Sequence, residues 1–249
     1  MKIFGVLILI LLTISCKKKE EINAAEVVIN KAIARAGGKV LDNATITFDF
    51  RDKHYKAKRE NGNFSLTRCS DVTCKDTLDV LSNSGFERKI NDKPIKLTDS
   101  LIDLYSNSVN SVHYFSVLPY GLDNSAVKKE ILDTVDIKGH SYYKIKVIFE
   151  QQGGGKDYED EYMYWINTKD FTVDYLAYNY HVNEGGTRFR EAFNAREING
   201  VRVMDYKNYK PKEQYPALES LDSLFLKEQL DLLSLIELKN VEIKDCPNC

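Results

Sequence analysis

Residues Asp174–Asn194 read DYLAYNYHVNEGGTRFREAFN, two alternating segments on either side of Gly185-Gly186. Successive side chains of a strand point to opposite faces of its sheet. Both faces here carry aromatic residues: Tyr175, Phe189 and Phe193, but also Tyr178 and Tyr180. A sheet apolar on both faces is covered on both or lines a cavity. The simpler alternative packs one face on helices and shows amphipathic tyrosines to solvent on the other.

The flanking segments continue the pattern. Tyr143, Ile145, Val147 and Phe149 form one face of a strand, Gly153-Gly154-Gly155 reverses the chain, and EYMYWI returns. VRVMDYKNY follows the turn Asn199-Gly200. Nearer the start, Ile46, Phe48 and Phe50 alternate with Thr45, Thr47 and Asp49, Asn61-Gly62 turns the chain into FSLTRC, and TLDVLSN and GFERKIND extend the series. Strands in succession with short loops imply an antiparallel meander, not parallel βαβ units.

Two helices interrupt it. Asn23-Ala-Ala-Glu26 reads as a capping box, Val28, Ile29, Ala32, Ile33 and Ala36 share a face, and Gly37-Gly38 supplies the stop. Thr98 caps a second helix in which Leu101, Tyr105, Val109, Val112 and Ser116 line up until Pro119. LESLDSLFLKEQLDLLSLIELKNVEI closes the chain with a short helix and a last strand. About nine strands and these helices predict one α+β domain over residues 23–245.

Composition is that of a globular chain, with 43% hydrophobic and 29% charged residues and a formal charge of −2. The near-neutral balance argues against a nucleic-acid partner, which needs a basic face. The apolar run Ile3–Ser15, thirteen residues long, is too short for a spanning helix of roughly 20 but suits a signal-peptide core. Thr13-Ile14-Ser15-Cys16 resembles the lipobox of bacterial lipoproteins, which implies cleavage, acylation of Cys16 and a membrane tether. The expected organisation is a signal peptide at 1–15, a charged tether at 16–22, the domain, and a cysteine-containing tail at 246–249.

Cys69, Cys74, Cys246 and Cys249 remain. In an exported chain an even number reads as disulfides, and the short SDVT and PN spacers favour local pairing. A four-thiolate zinc site and a CxxC redox site at CPNC are the competing readings. The acidic run Asp157, Glu159, Asp160 and Glu161 lacks the regular spacing of a calcium loop and reads as a solvated hairpin. His54, His113, His140 and His181 are scattered, and neither a nucleophile elbow nor a phosphate-binding glycine loop occurs. The expectation is a non-enzymatic protein with no metal and no cofactor.

A lipobox, then AAEVVINKAIARAGG, then a meander broken by a helix resembles the LolA/LolB-like fold of lipoprotein carriers. The segments NSVNSVHYFSVLPYGL, GGGKDYEDEYMYWI, VDYLAY and GGTRFREAFNAREINGVR resemble an uncharacterised family of Gram-negative lipoproteins thought to share that fold. The resemblance implies a strongly curved antiparallel sheet, an incomplete β-barrel, with an N-terminal helix and an inserted lid helix. It also implies an acyl chain or other hydrophobic ligand on the concave face, lined by Phe48, Tyr114, Phe115, Leu118, Trp165, Tyr175, Phe189 and Phe193. Arg188 and Arg190, opposite Phe189 on the pleat, are expected at the surface or against a partner. A non-catalytic accessory subunit of an outer-membrane protein assembly is the alternative. Lys17 directly after Cys16, in place of Asp, points to the outer membrane.

Overall fold

The computed structural model describes residues 23–152, 158–181, 185–213 and 216–246. The first helix, α1 (Ala24–Arg35), begins at Asn23, whose side chain accepts a hydrogen bond from the Ala25 amide. Glu26, expected to complete the capping box, pairs with Lys129 instead. Gly37 ends the helix with φ of 86°, a conformation that costs glycine no Cβ clash. A Cβ there would also lie 2.2 Å from the Gly200 carbonyl oxygen, so the helix end is pressed against a later turn. Gly37→Ala is therefore expected to cost more than about 1 kcal/mol in chemical denaturation. Gly62→Ala, in a turn where nothing lies within 4 Å, meets only backbone strain and should cost less.

A four-residue helix, α2 (Gly38–Leu41), leads into β1 (Ala44–Phe50), β2 (Lys53–Glu60), β3 (Asn63–Cys69), β4 (Thr77–Ser82), β5 (Gly85–Ile90) and β6 (Lys93–Pro94). The inserted helix, α3 (Asp99–Ser116), follows. The chain then runs through β7 (Val127–Ile137), β8 (His140–Phe149), β9 (Tyr162–Asn167), β10 (Val173–Tyr180), β11 (Gly186–Ile198) and β12 (Val201–Pro211). A 3-10 turn at Leu218–Ser220 and α4 (Leu221–Leu226) precede β13 (Leu230–Ile236) and β14 (Lys239–Asp245).

The α+β class, the antiparallel order and both long helices agree with the sequence pattern. The strand count does not: fourteen strands are present among the described residues, not about nine. Hairpin strands such as β2 alternate lysines with only Tyr55 and Ala57 as buried residues, which leaves little apolar periodicity to read. The hydrogen bonds also run in two sheets, not one, with strand orders β14-β1-β2-β3-β4-β5-β6 and β13-β12-β11-β10-β9-β8-β7. They do not close into a barrel.

The sheets meet where β13 passes into β14, with only Glu237 and Leu238 between them. Backbone groups at such a step lose their ladder partners and need others. Asp205, 2% exposed, supplies them: its carboxylate accepts from the Leu238 amide at 3.0 Å, from Arg196 at 3.1 Å and from Asn194 at 2.7 Å. Arg196 in turn donates to the Leu238 carbonyl at 2.6 Å.

Three apolar clusters fill the layers. On the inner face of the first sheet, Ile46, Phe48, Tyr55, Ala57 and Leu66 pack with Val109 of α3. On the inner face of the second, Ile145, Val147, Tyr164, Ile166 and Leu176 pack with Val28 and Ile29 of α1. On its outer face, Trp165, Tyr175 and Phe189 pack beneath Leu218 and Leu221. Asp222 fastens α4 there, accepting from the Trp165 indole at 3.2 Å and pairing with Lys144 at 2.6 Å. Covering both faces explains why aromatic residues occur at both parities of the Asp174–Asn194 stretch.

A disulfide joins Cys69 to Cys74, which removes two of the four thiolates the zinc reading requires. Cys246 is also disulfide-bonded. Cys249, Cys16 with its lipobox, the signal peptide at 1–15, the tether at 16–22, and Gly153–Asp157 lie outside the described residues. Of the acidic run, Asp160 lies 3.2 Å from His181 and Glu161 lies 3.1 Å from Lys146, as in a paired surface hairpin.

Candidate functional site

Between α3 and the inner face of the second sheet lies a cavity of about 870 Å³. That is the upper part of the range, roughly 300–1,000 Å³, in which pockets bury a small ligand. Its walls differ in chemistry. The sheet side presents Phe149, Tyr162, Tyr178, Met204, Tyr206 and Ile236, with Phe115 from the end of α3. The helix side is mostly polar, with Ser100, Asn107, Asn110 and Ser111 beside Leu104.

The aromatic wall is a packed array. Phe115 lies with its ring centre 4.9 Å from that of Tyr178, and Tyr162 lies 5.7 Å from Tyr178 and 5.6 Å from Phe149. Burial pushes the phenols of Tyr114 and Tyr206 up to about 12. They are therefore neutral at physiological pH and serve only as hydrogen-bonding groups. Among the described residues, the charged groups on the cavity are Arg188, Arg190, Asp103 and Asp160. Arg188 donates to the Tyr180 hydroxyl at 2.7 Å and Arg190 to the Tyr178 hydroxyl at 2.8 Å.

The position of α3 sets the cavity's width, and polar contacts largely hold it. Its buried residues are Ser106, Val109 and His113, so the stripe expected from Leu101 to Ser116 is apolar only in part. Arg68, Asp79 and Arg88 lie directly opposite one another on β3, β4 and β5. Asp79 accepts from Arg68 at 2.6 Å and from Arg88 at 2.6 Å. Arg68 then donates to Ser108 at 2.6 Å, and the Arg88 guanidinium lies 3.4 Å over the Tyr105 ring. His113 places Nε2 2.9 Å from the Thr67 carbonyl oxygen, and its ring meets Phe48 and Tyr55 edge-on. Burial lowers its pKa to about 4.

Among the residues predicted for the concave face, Tyr114 and Phe115 line the cavity. Phe48 is buried beneath α3, and Leu118 packs in the core with α1. Trp165, Tyr175 and Phe189 lie on the other side of the second sheet, packed solid under α4. Phe193 is half-buried on strand β11 and does not line the cavity. The inversion has a simple cause: alternation separates the two faces but does not say which one is concave. Arg188 and Arg190 are corrected with it, because they share the cavity face with Tyr178 and Tyr180. Met204, Tyr206 and Ile236 went unpredicted, although the alternation of VRVMDYKNY already set Met204 and Tyr206 on one face. Among the described residues, no helix is long and apolar enough to cross a membrane.

A family model matches residues 1–238 of the sequence. The chain belongs to DUF6503, a family of unknown function. No curated protein matches it. In fold, this DUF6503 chain is similar to a LolA superfamily protein of Nitrosomonas europaea, with 13% identity, a TM-score of 0.49, and coverage of 90% of this chain and 94% of that one. It is also similar to a DUF1329 family protein of Desulfovibrio piger, with 9% identity, a TM-score of 0.49, and coverage of 88% and 93%. A domain assigned to outer membrane lipoprotein sorting in Vibrio parahaemolyticus gives 9% identity, a TM-score of 0.47, and coverage of 90% and 93%.

Proposed function

We propose that this DUF6503 protein is a non-catalytic lipoprotein of the bacterial envelope, tethered through acylated Cys16, that holds a hydrophobic ligand such as an acyl chain in the cavity beneath α3. The observation that carries the reading is the aromatic wall of Phe115, Phe149, Tyr162 and Tyr178, left open to a space of about 870 Å³ instead of being filled by the protein's own side chains. Apolar surface of this extent gains free energy when a ligand displaces its water, at roughly 25 cal/mol per Å². The tether places such a site next to a membrane, and Lys17 after Cys16 supports the outer one.

The test is native mass spectrometry of protein purified from membranes, together with binding of the apolar dye N-phenyl-1-naphthylamine. Co-purifying lipid and dye binding are expected. Met204→Trp, which adds bulk on the cavity wall, should weaken dye affinity by about tenfold or more. Protein that carries no lipid and binds no dye would sink the reading.

One observation favours a second reading, an accessory subunit of an outer-membrane assembly. Edge strand β13 exposes Leu232, Leu233 and Leu235, and exposed apolar edges mark places where another chain adds on. A partner cross-linked in intact membranes and lost on Leu232→Lys would support it.

A further inference from the structure

We propose that Arg188 and Arg190 are a head-group site, and that the cavity's ligand is an amphiphile carrying an anionic carboxylate or phosphate ester on its apolar chain. This rests on the cavity reading above and specifies the ligand class. Arg190 is only 7% exposed, and its Nε is buried without a hydrogen-bond partner. Its guanidinium lies 3.9 Å over the Phe115 ring and 5.1 Å over that of Tyr178. Arg188, two residues along the same strand face, lies 5.0 Å over Tyr180 and donates to its hydroxyl and to the Thr187 carbonyl.

Among the described residues, neither arginine has an ion pair. Elsewhere in the fold, most buried or nearly buried cations are paired: Arg68 and Arg88 with Asp79, Lys144 with Asp222, Lys129 with Glu26, and Arg196 with Asp205, whereas Arg59 stacks over the Tyr120 ring. A desolvated guanidinium stays charged and is costly without a counter-ion, and ring faces offset only part of that cost. The two described carboxylates on the same cavity are placed otherwise. Asp160 is taken by His181, and Asp103 sits exposed on α3. A bound anion would supply the missing counter-charge, and the neighbouring aromatic wall would take the chain attached to it. Charge-assisted bonds from guanidinium to oxyanion are strong enough to select such a head.

The test compares 11-(dansylamino)undecanoic acid with its methyl ester on the delipidated full-length protein. The acid is expected to bind about tenfold or more tightly than the ester, and Arg188→Gln and Arg190→Gln should abolish that preference, so that acid and ester bind each variant equally. Arg190→Lys, which keeps the charge, should retain part of the preference. Equal affinity of acid and ester in the natural protein overturns the head-group site while leaving the apolar cavity standing. Binding of neither probe overturns both readings. Palmitate should displace the acid at micromolar concentration and inorganic phosphate should not. Displacement by inorganic phosphate at the same concentration would make the site one for a free anion and overturn the amphiphile.

Discussion

Asp79→Ala should destabilise the protein by about 3–5 kcal/mol in equilibrium denaturation, a large share of the roughly 5–15 kcal/mol that holds a domain folded. The expectation follows from what the substitution leaves behind. Asp79 is 1% exposed, and its two oxygens accept four N–H groups: Nε and Nη2 of Arg68, at 3.0 and 2.6 Å, and Nε and Nη2 of Arg88, at 2.6 and 2.9 Å. Removing the carboxylate strands two guanidinium groups under α3 without a counter-charge, and stranding a buried charge costs more than the pair itself contributes. Since Arg68 also holds Ser108 and Arg88 holds the Tyr105 ring, the roof of the cavity should loosen along with the sheet. Hydrogen exchange in α3 should therefore rise more than in α1. A loss below about 1 kcal/mol, the level of an exposed ion pair, would contradict this account. Replacing Asp79, Arg68 and Arg88 together with leucine or methionine should recover much of the loss, because an apolar trio leaves no charge unpaired.

The same residues show where reading a sequence reaches its limit. Helices α1 and α3 were legible because a period of 3.6 acts locally, although Thr98, expected to cap α3, makes no side-chain capping bond and meets the Ser100 hydroxyl instead. The turn at Asn61-Gly62 was legible because both residues take positive φ, 49° and 81°, and this dipeptide is suited to that. The Arg68–Asp79–Arg88 trio was not, since its members lie eleven and nine residues apart and meet only through strand register. In the cavity, Tyr114 and Phe115 were reached through the resemblance to the carrier fold, since they lie off the stripe from Leu101 to Ser116. Trp165, Tyr175 and Phe189 were assigned to the wrong side because α4 covers the outer face with apolar residues as thoroughly as α1 covers the inner one. Placing Phe189 on the concave face then sent Arg188 and Arg190, opposite it on the pleat, to the surface or a partner, although they share the face of Tyr178 and Tyr180.

What separates the two faces is the kind of cover each receives. The outer face of the second sheet is closed by a short helix whose leucines and Phe225 fill the space between rings, with Phe225 centred 4.9 Å from Phe189. The inner face is closed by α1 at one end only, and over the remainder α3 leans on the first sheet and turns a serine- and asparagine-rich flank to the gap. Polar side chains do not fill an apolar space, so the gap stays open. The cavity thus follows from α3 being bonded to one sheet while it meets the other at its C-terminal end, through Tyr114 and Phe115.

Acidification should act on that same helix. His113 is 1% exposed, its Nε2 donates to the Thr67 carbonyl at 2.9 Å, and its Nδ1 is buried with no partner. A second proton would have to sit on Nδ1, among Phe48 and Tyr55. Burial is the largest cause of its lowered pKa, the charge of Arg59 adds to it, and the Thr67 carbonyl opposes both. In the unfolded chain the imidazole titrates near 6.5 and in the fold at about 4. Between these values the unfolded state binds a proton that the native state refuses. Stability from this group is therefore complete above about pH 6.5 and falls as pH drops to about 4, by about 3 kcal/mol at 1.36 kcal/mol per unit. Below that both states are protonated, and the term levels off. Urea denaturation from pH 8 to pH 4 should show the decline beginning above the carboxylate range, near 6.5. His113→Gln, which keeps a donor toward Thr67 without a titrating ring, should remove the part of the decline between pH 6.5 and 5 while lowering stability at pH 8. An unchanged slope in that window would mean that His113 takes up its proton in the native state and that the base of α3 is wetter than its packing indicates.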